Sequence, residues 1–127
     1  MECQDDCACS GNTLGRLVQP AIMVLLSHEP LHGYLIVQRL ENLPLFHGHP
    51  PDPAGVYRQL KALEEAGYLV STIDLGDGVP AKRVFGLTKS GQACLGQWIA
   101  TLDDYARSIQ DMLGNVKRKK TSKNSRR

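Results

Sequence analysis

Towards the C-terminal end of the chain, apolar side chains recur at Leu95, Trp98, Leu102, Tyr105, Ile109 and Met112. The steps alternate between three and four residues, which is a coiled-coil seam rather than the broader stripe of a helix lying on a core. Ile99, Ala106 and Leu113 repeat every seven residues beside it. With Thr88 as N-cap, the pattern predicts a helix from near Thr88 to about Leu113, on the order of 35–40 Å long. The rest of a 127-residue chain is too small to cover such a seam. The economical cover is the same helix of a second copy, so these six residues are the candidate dimer interface. Trp98, at the middle, is also a candidate contact for a small hydrophobic effector, against the plainer role of an aromatic filling the seam.

The charge distribution narrows the partners. The formal net charge is +2. Residues 1–114 carry eight Lys/Arg against thirteen Asp/Glu, a net −5, whereas residues 115–127 carry seven Lys/Arg and no acid, a net +7. This excludes a uniformly basic, histone-like protein but leaves nucleic acid open, because local charge governs such contacts. The acidic start (Glu2, Asp5, Asp6) is unlike a secretory signal, and the longest apolar run, Ala21 to Leu26, is far short of a membrane span. The expectation is a cytoplasmic protein with reduced thiols and no membrane partner. Cys3, Cys7 and Cys9 crowd the first nine residues in a C-x3-C-x-C spacing. They are candidate ligands for a soft metal, or redox sensors, although the spacing is not the paired C-x2-C of zinc sites. The competing reading is a solvated terminus with incidental thiols.

Along the chain, the pattern predicts a helix from about Gln19 to Ser27 with Pro20 in its first turn, ended by His28-Glu29-Pro30. A second helix fits His32 to Asn42 through Leu35, Ile36, Leu40 and Leu43, and Pro44 to Pro51 reads as a loop. The third helix has the clearest limits: Asp52 as N-cap, Pro53 in the first helical position and Gly67 as the stop. It turns Val56, Leu60 and Leu63 inward and presents Ala54, Tyr57, Arg58 and Lys61 on an exposed face. Tyr68 to Leu75 and Arg83 to Leu87 read as two strands of a hairpin, with Phe85 and Leu87 on one face and Lys82 and Arg83 beside its turn-rich tip. The fold class is mainly α with a small β-hairpin: a winged helix-turn-helix followed by a long C-terminal dimerisation helix. In that architecture the third helix enters the DNA major groove and the wing touches the flanking backbone or minor groove. Arg58 can bind guanine bidentately, and Lys61 and Tyr57 can bind phosphates.

The segments Leu31-His32-Gly33-Tyr34, Gly55-Val56-Tyr57-Arg58 with Leu60 and Leu63-Glu64, and Pro80 to Phe85 leading into Leu87-Thr88 and Gly91 resemble, in order and spacing, the PadR family of bacterial transcriptional regulators. The resemblance covers about residues 20–113 and is to the short-tailed branch with one helix after the wing. It implies a homodimeric repressor whose C-terminal helix dimerises and in which Tyr34, Tyr57 and the adjacent basic residues meet DNA. The candidate DNA-facing set is Tyr34, Pro53, Ala54, Tyr57, Arg58, Lys61, Lys82 and Arg83. Ala54 stands where the family frequently has a small hydroxyl residue, which removes one contact, and Gly86 replaces a larger residue on the second wing strand.

The expected organisation is a flexible Cys-containing N-terminus (1–13), a winged helix-turn-helix DNA-binding domain (14–88), a dimerisation helix (89–114) and a disordered basic tail (115–127). The expected function is a sequence-specific, ligand- or stress-responsive repressor on a pseudo-palindromic operator, with double-stranded DNA and a second copy as partners. The rival is a winged-helix protein-interaction adaptor that only its basic tail tethers to DNA or to a partner. His47 and His49 in the loop are too weak a pair to place a metal. No Ser/His/Asp order, paired carboxylates or phosphate-cradling glycine loop points to an enzyme.

Overall fold

The computed structural model describes residues 14–46, 48–74 and 82–125. A 3-10 turn at Leu14–Leu17 leads into helix α1 (Val18–His28), followed by strand β1 (Leu31–His32) and helix α2 (Gly33–Glu41). A second 3-10 turn (Pro44–Phe46) precedes helix α3 (Pro53–Glu65), strands β2 (Leu69–Asp74) and β3 (Lys82–Leu87), and helix α4 (Lys89–Ser125). The chain divides into two units, up to Leu95 and from Gly96 onward.

The first unit is three helices on a small antiparallel sheet of order β1-β3-β2. Ile22, Met23, Ile36, Leu40, Val56 and Leu60 are all but fully buried, and among the described residues no buried side-chain polar atom lacks a hydrogen-bond partner. Burying each such aliphatic side chain contributes about 1.5–3 kcal/mol, so the core is ordinary in kind and sufficient in extent. The hairpin becomes a three-stranded sheet because Leu31 and His32, just after Pro30, stay extended and pair with Phe85 and Val84. Two residues are too few for alternation to reveal a strand. Pairing begins α2 at Gly33 instead of His32, and His32 serves as its N-cap.

Both ends of α3 follow local chemistry. The Asp52 carboxylate accepts from the Gly55 N–H at 3.2 Å, with Pro53 in the first turn. At the other end Gly67 takes φ +88°, where only glycine is unstrained. The Gly67 and Tyr68 N–H groups then donate to the Glu64 and Leu63 carbonyls, both at 3.0 Å, closing a Schellman motif. Thr88 joins the wing to α4. Its N–H donates to the Tyr68 carbonyl at 3.1 Å, its hydroxyl donates to the Gly67 carbonyl at 2.7 Å, and the Gly91 N–H donates to that hydroxyl at 3.0 Å.

Two boundaries differ from the sequence reading. Phe46, inside the expected loop, is buried in the core through the 3-10 turn. Helix α4 does not stop near Leu113 but runs through Gly114 to Ser125, 37 residues in all. One glycine weakens a helix by only about 1 kcal/mol, and the Lys/Arg-rich sequence that follows is helix-forming and suits the negative end of the macrodipole. Within the second unit, Trp98 and Leu102 are half-buried, while Ile99, Tyr105, Ile109, Met112, Leu113 and Val116 are exposed. Among the described residues no helix is long and apolar enough to cross a membrane.

Candidate nucleic-acid interface

The exposed face of α3 carries the residues its periodicity assigns to it. Pro53, Ala54, Tyr57, Arg58 and Lys61 are exposed, while Val56, Leu60 and Leu63 are buried beneath them. The Arg58 guanidinium lies along the first turn, with Nη2 3.6 Å from where a Gly55 Cβ would stand, an ordinary van der Waals distance. Arg58 and Lys61 thus project from a helix anchored by three buried aliphatic side chains, the geometry that a groove-reading helix needs.

Beside this face the N-terminus of α2, the middle of α3 and strand β3 enclose a pocket of about 300 Å³. Gly33 and Phe85, both buried, line it together with His32, Tyr34, Tyr57, Lys82 and Arg83. The absent side chain of Gly33 is what admits Tyr57: a Cβ there would stand 2.8 Å from Tyr57 Cε1. Lys82 Nζ lies 4.8 Å from the centroid of the Tyr34 ring, a cation–π contact worth about 0.5–1 kcal/mol at an exposed site. The His32 ring stands 5.6 Å from the same centroid, tilted by 35°.

Two acidic groups hold the wing in place. His32 Nε2 is 3.0 Å from Asp74 Oδ2. Arg83 donates from Nη1 to the Ser71 hydroxyl at 2.8 Å, and that hydroxyl donates to Glu64 Oε2 at 2.5 Å, so the chain of contacts runs from β3 through β2 to α3. The surface therefore offers phenol hydroxyls, an ammonium, a guanidinium and an imidazole, with no nucleophile–base pair among them. It is suited to holding phosphate and base edges rather than to catalysis.

Of the sequence-derived candidates, Tyr34, Tyr57, Lys82 and Arg83 come together around this pocket. Pro53, Ala54, Arg58 and Lys61 stand on the adjoining helix face and do not line it. The sequence pattern alone does not place His32, Phe85, Ser71 or Glu64 on this surface. The Leu31-His32-Gly33-Tyr34 string was the available signal, but the His32–Asp74 contact spans 42 residues and depends on β1, so spacing gives no hint of it. Cys3, Cys7, Cys9, His47 and the wing tip at 75–81 lie outside the described residues. Among the described residues no group of three or more His, Cys, Asp or Glu is placed to hold a metal ion.

Comparison with known proteins is consistent in kind. Residues 22–97 match the transcriptional regulator PadR-like family. The Mycobacterium tuberculosis protein named "Probable transcriptional regulator Rv1176c" is 30% identical over 80 residues, which is 63% of this chain and 42% of that protein. Among solved structures, Bacillus subtilis PadR in complex with operator DNA superposes with a TM-score of 0.60 at 26% identity, covering 66% of this chain and 48% of that one. A PadR family regulator from Eggerthella lenta gives a TM-score of 0.65 at 26% identity, covering 83% and 91%. The chain thus spans less than half of the curated relative and of the operator-bound protein, but nearly all of the Eggerthella regulator.

Proposed function

The chain belongs to the PadR-like family of transcriptional regulators, and from that footing we propose that it is a sequence-specific repressor that binds a pseudo-palindromic operator as a homodimer. The observation that carries this reading is the meeting of Tyr34, Tyr57, Lys82 and Arg83 around one pocket beside the exposed Arg58 and Lys61 of α3. In this account α3 lies in the major groove, where Arg58 reads a base and Lys61 takes a phosphate. Tyr34, Tyr57 and Lys82 hold the backbone at the edge of the groove, and Arg83, fixed through Ser71 to Glu64, keeps the wing rigid beside them. The Bacillus subtilis relative solved on operator DNA supports carrying this docking over.

The second copy is argued from α4. Tyr105, Ile109 and Met112 are 62%, 49% and 60% exposed, an unusual load of apolar surface for one side of one helix. Pairing with the partner's helix covers it, and a flat hydrophobic effector meeting Trp98 would act at the same seam. Residues 14–88 then form the DNA-binding domain, 89–114 the dimerisation segment, and the basic 115–127 a source of sequence-independent attraction to phosphates.

The test is selection of bound duplexes from random DNA by the full-length chain. Enrichment of an inverted repeat with half-site centres about 34 Å apart is the expected result. Retention of DNA without enrichment, lost on removal of residues 115–127, would favour a tail-tethered adaptor and overturn the reading.

A further inference from the structure

The pocket beside α3 has an interior that a duplex does not fill. A duplex passing its mouth presents phosphate and sugar, while its bases stay in the stack unless unstacking energy is spent. The walls are nevertheless aromatic: Tyr34 from α2, Tyr57 from α3 and Phe85 from β3 all line the pocket. Phe85 is buried, but Tyr34 and Tyr57 are 43% and 46% exposed and leave ring surface open. Lys82 and Arg83 add two positive charges to a lining that, among the described residues, includes no carboxylate. The carboxylates of Asp74, on His32, and Glu64, on Ser71, stand outside it. Arg83 spends one Nη1 hydrogen on Ser71, which leaves the other guanidinium N–H groups to meet a ligand.

We propose that this pocket binds a nucleoside monophosphate, and that the bound nucleotide keeps operator DNA off the same residues. The second half of the inference rests on the DNA-binding reading above; the first does not. Charge favours a free nucleotide over the duplex. Each DNA phosphate is a diester with one negative charge, whereas a terminal phosphate monoester carries about 1.5–2 at neutral pH. Two cations in one pocket therefore suit the monoester better. The walls favour it too. Lys82 Nζ already lies over the Tyr34 ring at 4.8 Å, so the base is left the Tyr57 ring, while the phosphate meets Lys82 and Arg83. Every base has a π face, and stacking on one aromatic side chain is worth roughly tenfold in affinity. Size sets the upper limit. About 300 Å³ is the lower end of small-molecule sites, roughly 300–1,000 Å³, which suits one base with its sugar and phosphate rather than a longer piece. Tyr57 and Lys82 serve both ligands in this account, so nucleotide and duplex exclude each other.

The experiment has two arms, both on the full-length chain at constant ionic strength. The first needs no DNA: isothermal titration calorimetry with the monophosphates of adenosine, guanosine, cytidine and uridine. At least one is expected to bind with a Kd on the order of 0.1–1 mM. Its methyl diester should bind at least about threefold more weakly, and the nucleoside alone and inorganic phosphate each about tenfold more weakly. Tyr57→Leu and Lys82→Gln should each weaken the nucleotide about tenfold. Lys61→Ala, outside the pocket, should leave nucleotide binding unchanged while weakening DNA. The second arm reads the Kd for the duplex enriched from random DNA by fluorescence anisotropy. Nucleotide at about ten times its own Kd should raise the duplex Kd about tenfold, and the nucleoside at that concentration should not. No binding by any of the four nucleotides, or binding indifferent to both Tyr57→Leu and Lys82→Gln, overturns the site while the DNA-binding reading stands. Nucleotide binding that leaves the duplex Kd unchanged overturns the exclusion. Failure to enrich any duplex overturns the DNA-binding reading and the exclusion with it, and the calorimetry still decides the site.

Discussion

Replacing Gly91 with alanine should unfold the joint between wing and α4. A Cβ on Gly91 would stand 2.1 Å from the Tyr68 carbonyl oxygen and 2.9 Å from Leu87 Cδ2. The first obstacle is backbone, already accepting from the Thr88 N–H at 3.1 Å, and cannot turn aside as a side chain can. Relief requires the helix start to move off β2, which loosens that bond and the Thr88 hydroxyl bond to the Gly67 carbonyl at 2.7 Å. Two such bonds are worth about 1 kcal/mol each. Overpacking adds about 1–3 kcal/mol, and the better helix propensity of alanine returns up to about 1 kcal/mol. The expected net loss is about 2–4 kcal/mol, measured by urea denaturation with far-UV circular dichroism at fixed protein concentration, since dimer formation would otherwise shift the midpoint. Gly96→Ala is the control, because nothing lies within 4 Å of its added Cβ. If Gly91→Ala unfolds within about 1 kcal/mol of wild type, the close approach of Tyr68 to α4 is refuted.

Two further substitutions separate folding from binding. At Gly33 the obstacle is the outer edge of the exposed Tyr57 ring, which can swing away. Gly33→Ala should therefore change unfolding free energy by less than about 1 kcal/mol while weakening binding to the selected duplex roughly tenfold, read by anisotropy. Asp52→Ala removes the acceptor for the Gly55 N–H and should cost about 1 kcal/mol in the same denaturation assay, with groove contacts on α3 weakened at its N-terminal end.

What the residues disclosed, and what they hid, divides by range. Helix α3 is legible at both ends because its stop signals are local. Asp52, Pro53 and Gly67 act on backbone groups within a few residues, and the spacing of Val56, Leu60 and Leu63 sets the buried side. Its exposed side follows from the same periodicity. Strand β1 is hidden because two residues become a strand only when β3 arrives from far along the chain. The same distance hides the His32–Asp74 pair and the fit of Tyr57 over Gly33. Phe46 is concealed by its setting: Pro44, Gly48 and two further prolines mark a loop, and nothing local says that one ring within it reaches the core. The far end of α4 is misjudged for an energetic reason, since Gly114 weakens a helix without ending it when helix formers follow.

In the proposed docking, side chains on α3 choose the DNA sequence while the remaining basic residues supply general attraction. Its most direct measurement is the Kd of wild type and of Arg58→Ala for the selected duplex and for a scrambled duplex of equal length, at several salt concentrations. Arg58→Ala should weaken binding to the selected duplex by roughly 1–3 kcal/mol and leave the scrambled duplex nearly unchanged. Equal loss on both duplexes, or no loss on either, would contradict the assignment of α3 as the reading helix.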